Sequence, residues 1–310
     1  MFAKLSQMTA DRGSLSRDDF LHTVRESMNS TVSEDDHHPH DGYTPAAFRH
    51  YIRRLALVGA LAPLNFETVL DVGCAEGYFM NAIKERFDAN VWGVDLSTTA
   101  LGKNRSIYAL PVAAAEATRL PFEDGAFDLV YSTEVIEHVL DPDLMIAEMR
   151  RVSRGTVLVT TPASQSEYEH EPDFELKDVG HVNNFAPSTV RRLFGAEVHL
   201  GSFRCNATLA LIVGAGRYMP ARVRDAFYRL DYFVSQHWGS PEHRLKPLRN
   251  RDWLITVTGA GQGDGSPQWR CPACHGDLEE QAQSLLCRRC ATVYQVNEGV
   301  PDFFEHSQAS

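Results

Sequence analysis

The stretch "VLDVGCAEGYF", residues 69 to 79, decides how the rest of the chain is read. Its left half, Val69-Leu70-Asp71-Val72, has the composition of a short buried strand. Its right half opens "YFMNAIKERF", where Phe79, Ala82 and Ile83 share one face at helical spacing. Between them Gly73 and Gly77 allow a sharp turn and leave bare main chain for a ligand to approach. Strand, glycine turn and helix make a cofactor loop. A dinucleotide fingerprint would read G-x-G-x-x-G, whereas here Asp71-x-Gly73-x-x-x-Gly77 has no middle glycine. A phosphate-binding P-loop is excluded too, because no Gly-Lys-Ser/Thr follows. The next strand, "VWGVDLS", ends in Asp95, placed to accept hydrogen bonds from both ribose hydroxyls of a nucleoside. Asp71 suits an ammonium group near the loop and would repel a pyrophosphate. The expected ligand is a nucleoside carrying a cationic amino-acid tail.

With these residues in view, the chain resembles the class I S-adenosylmethionine-dependent methyltransferases from about Thr68 to about Gly261. "VLDVGCAEGYF" resembles the first motif of that family and "VWGVDLS" its acidic second strand end. "AAAEATRLPFEDGAFDLVYSTEVIEHV" resembles the segment through the fourth strand, and "RGTVLVTTP" the fifth. The resemblance implies a doubly wound, seven-stranded Rossmann-like α/β sheet whose last strand, "DWLITVTGAG", is antiparallel. It also implies that Gly73, Cys74, Ala75 and Gly77 line the methionine and ribose. Asp95 would hold the ribose hydroxyls with Leu96 beside the adenine, Glu116 the adenine amino group, and Ser132 would lie beneath the methionine.

The chain has 310 residues, enough for one large domain and a small module. Apolar residues make up 43% and charged residues 23%, the balance of a globular protein. The first residues lack a signal-type apolar core and no run reaches the length of a membrane span, so a cytoplasmic protein without membrane insertion is expected. A formal net charge of −11 argues against bulk nucleic-acid binding.

Along the chain, residues 1–44 read as a polar segment whose "SEDDHHPHDG" is a solvated loop rather than a histidine metal site. Residues 45–262 read as the methyltransferase domain, entered by "TPAAFRHYIRRLALVGALAPL", a helix that precedes the first strand. "AEVHLGSF" and "CNATLALIVGAG" read as a sixth strand region and a buried strand. Residues 217–251 hold eight Arg/Lys against three Asp/Glu, a basic island in an acidic protein. Within 217–250, Val223, Phe227, Leu230 and Val234 share a helical face, as in a docking helix or a lid over an anionic acceptor. "GAGQGDGSPQ", residues 259–268, has the composition of a flexible linker.

The tail, residues 268–306, reads Cys271-x-x-Cys274, then Cys287-x-x-Cys290. Two such knuckles can bring four thiolates to one tetrahedral Zn²⁺, a closed structural site with no position left for catalysis. Disulfides would fit poorly with a cytoplasmic chain that also carries Cys74 and Cys205. The module is too small to bury its own core, so metal is expected to supply much of its folding energy. "CATVYQVNEGVPDFF" resembles the zinc-ribbon family that includes the activator subunit of several tRNA and protein methyltransferases. Residues 266–310 carry three arginines against six acids, which fits a structural clamp or an oligomer contact better than an RNA grip.

"STEVIEHV" sets Glu134, Glu137 and His138 at i, i+3 and i+4, expected on one helical face. One reading has the two acids ordering the cofactor loop while His138 borders the pocket. A second adds His181 from "DVGHVNNF" to make a Mg²⁺ or Mn²⁺ site, resembling metal-dependent small-RNA 2′-O-methyltransferases, although their second histidine after the E-x-x-E-H run is absent. A third makes His138 or His181 a metal-free general base. Two acceptors follow: a small molecule, sugar or lipid-linked glycan methylated on oxygen, or RNA contacted by the ribbon and the basic island.

Overall fold

The computed structural model describes residues 16–34, 61, 64–162, 182–183, 185–195, 199–204, 223 and 251–308. The expected helix before the first strand (apart from Leu61 and Leu64), the strand "CNATLALIVGAG", nearly all of the 217–250 island and His181 lie outside them.

Strand β1 (Thr68–Val72) is buried at every position, as expected of a strand covered on both faces of a parallel sheet. It pairs in parallel with β2 (Asn90–Asp95) on one side and β4 (Phe127–Thr133) on the other. Helix α2 (Tyr78–Phe87) connects β1 to β2, and α3 (Thr98–Ile107) connects β2 to β3 (Val112–Ala114). Helix α4 (Pro142–Val152) leads into β5 (Ser153–Pro162), parallel to β4. After α5 (Pro187–Phe194) come β6 (His199–Arg204) and β7 (Arg251–Thr258). Strand β7 runs antiparallel to both β5 and β6.

The sheet does not stop there. Among the described residues its order is β6-β7-β5-β4-β1-β2-β3 followed by four more strands, eleven in one sheet. The last four, β8 (Leu278–Gln281), β9 (Ser284–Cys287), β10 (Thr292–Asn297) and β11 (Val300–Gln308), form an antiparallel meander from the cysteine tail. Strand β11 joins β3 in parallel, with Asp302 opposite Ala114. The methyltransferase part supplies β1–β7, with β7 antiparallel as expected, and the tail extends their sheet instead of standing apart. The tail, expected to be too small to bury a core of its own, shares one: Tyr294, Phe303 and Leu285 belong to the same buried cluster as Phe122, Phe127 and Val94. Trp269 is the hinge of this shared core, its ring centroid 4.9 Å from both Trp92 and Phe122 and 5.7 Å from Phe303.

The stretch read as a flexible linker is pinned instead. The N–H groups of Gly259, Ala260 and Gly261 donate to the carbonyls of Gly155, Arg150 and Ser153. Its glycines allow this because the backbones touch: a Cβ on Gly261 would stand 2.1 Å from the Arg151 carbonyl oxygen. Composition identified small residues correctly, but here smallness serves close contact between backbone segments rather than freedom.

The segment read as polar and aperiodic contains an 18-residue helix, α1 (Arg17–Glu34). Ser16 starts it: the Asp19 N–H donates to Ser16 Oγ at 3.1 Å, and that hydroxyl donates to the Asp19 carboxylate at 2.7 Å. Among the described residues, no helix is long and apolar enough to cross a membrane.

Candidate active site

A cavity of about 320 Å³ opens at the carboxyl ends of β1, β2 and β4, the edge where parallel sheets bind ligands. Its floor is the loop from Gly73 to Glu76 with Tyr78 and Phe79 of α2. Gly73 and Gly77 both hold φ of +84°, a conformation that L side chains rarely adopt. A Cβ on Gly73 would stand 2.2 Å from Val135 Cγ2, and one on Gly77 2.0 Å from Asn104 Nδ2. Side chains at these two positions have no room, which fixes the path of the loop; Gly73 lines the cavity, whereas Gly77, expected there too, does not.

Asp95 lies on the cavity wall, almost fully buried. Its carboxylate accepts the Ala75 N–H at 2.9 Å and the Ser97 N–H at 2.8 Å, tying the glycine loop to the end of β2. Burial raises its pKa, and the hydrogen bonds from Ser97, Ala75 and Leu96 only partly offset this. Asp95 thus builds the loop as well as facing the cavity, a second role that the sequence reading did not assign. Asp71 is 1% exposed and does not line the cavity. Tyr131 donates to its Oδ2 at 2.6 Å, while Oδ1 has no partner. Burial pushes the Asp71 carboxyl up to about 8, against the lowering effect of Tyr131. It sits behind the floor, so direct contact with an ammonium group is not what it provides. Ser132 is also behind the wall, its hydroxyl donating to the Val72 carbonyl at 2.7 Å.

Cys74, Ala75, Leu96 and Glu116 line the cavity. Glu116, expected to face an adenine amino group, is paired with Arg17 of α1, which also reaches Thr118. That arginine belongs to a roof the sequence reading missed. Phe20, Leu21, Val24 and Met28 of α1 all line the cavity. The residues at 20, 24 and 28 recur at helical spacing, and Ser16-x-x-Asp19 is a capping pattern, so a local signal was present.

The acid–histidine cluster is split. Glu134 takes φ of +57° and a three-residue 3₁₀ turn, Ile136–His138, follows, so no α-helical face unites the three residues. Glu134 and His138 line the cavity. Glu137 does not; it is buried, and its carboxylate accepts the Thr161 hydroxyl at 3.1 Å on β5. Its carbonyl accepts the Val182 and Asn183 N–H groups, so it anchors the chain after β5 rather than facing a ligand. Glu134 accepts from the Thr160 hydroxyl at 3.2 Å. Among the described residues these three do not come together at one metal position, and His181, the fourth expected ligand of the Mg²⁺ or Mn²⁺ site, lies outside them.

The four cysteines do. The sulfurs of Cys271, Cys274, Cys287 and Cys290 all lie within 4.8 Å of one another, and neither close pair is a disulfide, at 3.6 Å for Cys271–Cys290 and 3.4 Å for Cys274–Cys287. Tyr294 and Thr292 bring hydroxyls within 3.1 Å of the Cys271 and Cys290 sulfurs, and the Arg289 N–H points at Cys287. Four mutually close thiols with hydrogen-bond donors around them are a set that can hold one tetrahedral cation.

Comparison with known proteins agrees with this geometry. Residues 70–159 match the family described as a methyltransferase domain. The O-methyltransferase cnsE of Penicillium expansum is 35% identical over 107 residues, covering 32% of this chain and 39% of that protein. The ubiquinone biosynthesis O-methyltransferase of Cupriavidus pinatubonensis is 34% identical over 118 residues, 35% of this chain and 46% of that one. The chain thus spans less than half the length of these curated relatives. Among solved structures, the geranyl diphosphate C-methyltransferase of Streptomyces coelicolor superposes with a TM-score of 0.52 at 15% identity, covering 78% of this chain and 98% of that one. A complex between the Haloferax volcanii Trm112 methyltransferase activator and a methyltransferase gives 0.51 at 19% identity, covering 77% of this chain and 99% of that one. At such identity the likeness is one of fold. Over residues 70–159 the chain therefore carries a methyltransferase domain.

Proposed function

We propose that the protein is an S-adenosylmethionine-dependent methyltransferase that methylates a hydroxyl of a small, largely apolar acceptor. The observation that carries this reading is the roofed cavity: a floor of bare glycine main chain, the acids Asp95 and Glu116 on the wall, and an apolar cover from α1. The residues fit the cofactor. Gly73 keeps a side chain off the cavity floor, Asp95 offers its remaining lone pairs to ribose hydroxyls, and Leu96 offers an apolar plate for adenine. When bound, S-adenosylmethionine supplies an electrophilic methyl group on sulfur. The chain's own task is then to orient the acceptor, exclude water and take a proton. His138 on the cavity wall is the proton acceptor in this reading, and Glu134 positions the turn that carries it. Val139, Leu140 and Met28 give the neighbouring wall its apolar character, which favours a compact ring or chain over a polar sugar.

The cysteine cluster is read as a structural Zn²⁺ site, closed by four protein ligands. RNA as acceptor rests on the basic stretch 217–251, outside the described residues except for Val223 and Arg251. Against it, the tail's arginines are engaged: Arg270 with Glu123 and Asp277, Arg288 with Glu279, and Arg289 with the Cys274 carbonyl.

Calorimetry should find binding of S-adenosylmethionine and S-adenosylhomocysteine, with Asp95→Ala weakening it by about 2–4 kcal/mol. Comparing methylated metabolites and RNA in cells with and without the gene then identifies the acceptor. Turnover lost in His138→Ala with cofactor affinity retained fits the proton-acceptor role, and full turnover removes it. Elemental analysis should give one zinc per chain, absent from Cys287→Ser; a metal-free protein with paired cysteines overturns the site.

A further inference from the structure

The roof of the cavity is fastened to the cysteine module. Arg25 of α1 is 6% exposed and Asp302 of β11 is 3% exposed, and the two form a salt bridge in that buried setting. The Arg25 guanidinium also lies 5.1 Å from the Phe304 ring centroid and 3.4 Å from Glu305. His22 meets Phe304 edge to face at 4.9 Å. Asp302 is itself held: its Oδ1 accepts the Phe304 and Glu305 N–H groups at 3.1 and 3.2 Å. Its strand is the one that continues from β10, and Tyr294 on β10 touches the Cys271 sulfur at 3.1 Å. A path of direct contacts therefore runs from the thiol cluster through β10 and β11 to Arg25, and one helical turn along α1 lie the residues that cover the cavity.

We propose that the cysteine module sets how tightly the cofactor is held, by fixing α1 over the cavity through the Arg25–Asp302 pair, and that these two are positioning residues for cofactor binding. This rests on the cofactor reading above. A buried ion pair contributes little net stability against an apolar replacement, but removing one partner strands the other charge in a dry setting. Such a pair suits a fastening that has one geometry, because any displacement of α1 leaves two charges unpaired. Alone, α1 has only a narrow apolar stripe, so its closed position depends on partners far away in sequence. The module's metal would act at a distance: it orders β10 and β11, they hold Asp302, and Asp302 holds the roof.

The test uses the full chain and S-adenosylhomocysteine as probe. Asp302→Asn keeps the oxygen that accepts from Phe304 and Glu305 but removes the charge. It should raise the dissociation constant about tenfold, chiefly through a faster off-rate, with zinc content unchanged. Arg25→Met should do the same, and the double variant Arg25→Met/Asp302→Asn should be no worse than either single one, since the contact is shared. Stripping the metal from the wild type should weaken binding by a comparable factor and add little in Asp302→Asn. Proteolysis within α1 should speed up in step with the off-rate, which distinguishes an opened roof from global unfolding. Wild-type affinity in both single variants, with metal and melting temperature retained, overturns the proposal. Effects of metal removal and Asp302→Asn that multiply overturn the coupling. A wild type that does not bind the probe at all overturns the cofactor reading instead.

Discussion

The floor and the roof of the cavity enclose the same space but are built on different principles. The floor is the loop Gly73–Glu76 with Tyr78 and Phe79, where glycines at fixed spacing force one main-chain path and the acids Asp71 and Asp95 are buried beneath or beside it. The roof is a polar-looking helix held by side chains whose partners lie 99, 277 and 68 residues away: Arg17 to Glu116, Arg25 to Asp302, and Asn29 to Ser97. A floor of main chain is intolerant and unchanging. A roof of distributed side-chain contacts loses strength one contact at a time.

The sharpest test of that contrast is the titration of the floor. Asp71 has a carboxyl held at about 8 in the folded protein against 3.8 as its ordinary value, chiefly through burial. The folded state therefore keeps a proton that the unfolded state releases. Stability from this group is complete below the ordinary value and falls as pH rises towards about 8, by about 1.4 kcal/mol per pH unit. Across the window this accumulates to on the order of 5 kcal/mol. Asp71→Asn can still accept from Tyr131 and should flatten the slope, read by denaturant unfolding at several pH values. An unchanged slope would mean the floor is not the rigid, dry element described.

Next in size is Gly73→Ala. With φ at +84° and Val135 Cγ2 2.2 Å from the added Cβ, the change should cost about 3 kcal/mol and remove measurable cofactor binding. Thermal denaturation and calorimetry check it together, and near-normal values in both would break the contrast. The smallest effect belongs to the roof. Asn29 Oδ1 accepts from the Ser97 hydroxyl at 2.9 Å and from the Thr99 N–H at 3.1 Å, supplementing the Ser97 cap of α3. Asn29→Ala should cost about 1 kcal/mol and loosen the cofactor only a few-fold, because Arg17 and Arg25 still hold the helix. A loss as large as that of Gly73→Ala would make the roof as cooperative as the floor.

The same contrast explains what could be read from sequence. The loop, the acid ending β2 and the paired cysteine knuckles are short-range patterns, and each chemistry-bearing residue points where local geometry sends it. Glu137 could not be oriented that way. Its direction depends on Glu134 adopting a left-handed backbone and on Thr161 waiting across β5, neither of which spacing encodes. Ser132 and Asp71 matched the family pattern in position while facing away from the cavity, since a strand's two faces are assigned by what packs on them. The helix α1 was overlooked because its apolar stripe is narrow and it packs on residues distant in sequence, Leu96, Val182 and Phe304, while the joining of β11 to β3 is a non-local pairing without a local signature.

That joining has a consequence in time. Ala114 and its partner Asp302 are separated by 188 positions, so during synthesis β3 waits for β11 while the intervening chain is made. At about 5–20 residues per second this is roughly 10–40 s, during which β3 is an open sheet edge and Arg25 has no counter-ion. The nascent domain passes through an interval in which the β3 edge is uncovered and its ligand cavity lacks a fastened cover. A ribosome-bound chain stalled before residue 270 should therefore recruit chaperones more strongly than the full chain, and the strands from Leu278 to Gln308 act as the sheet's own edge guard.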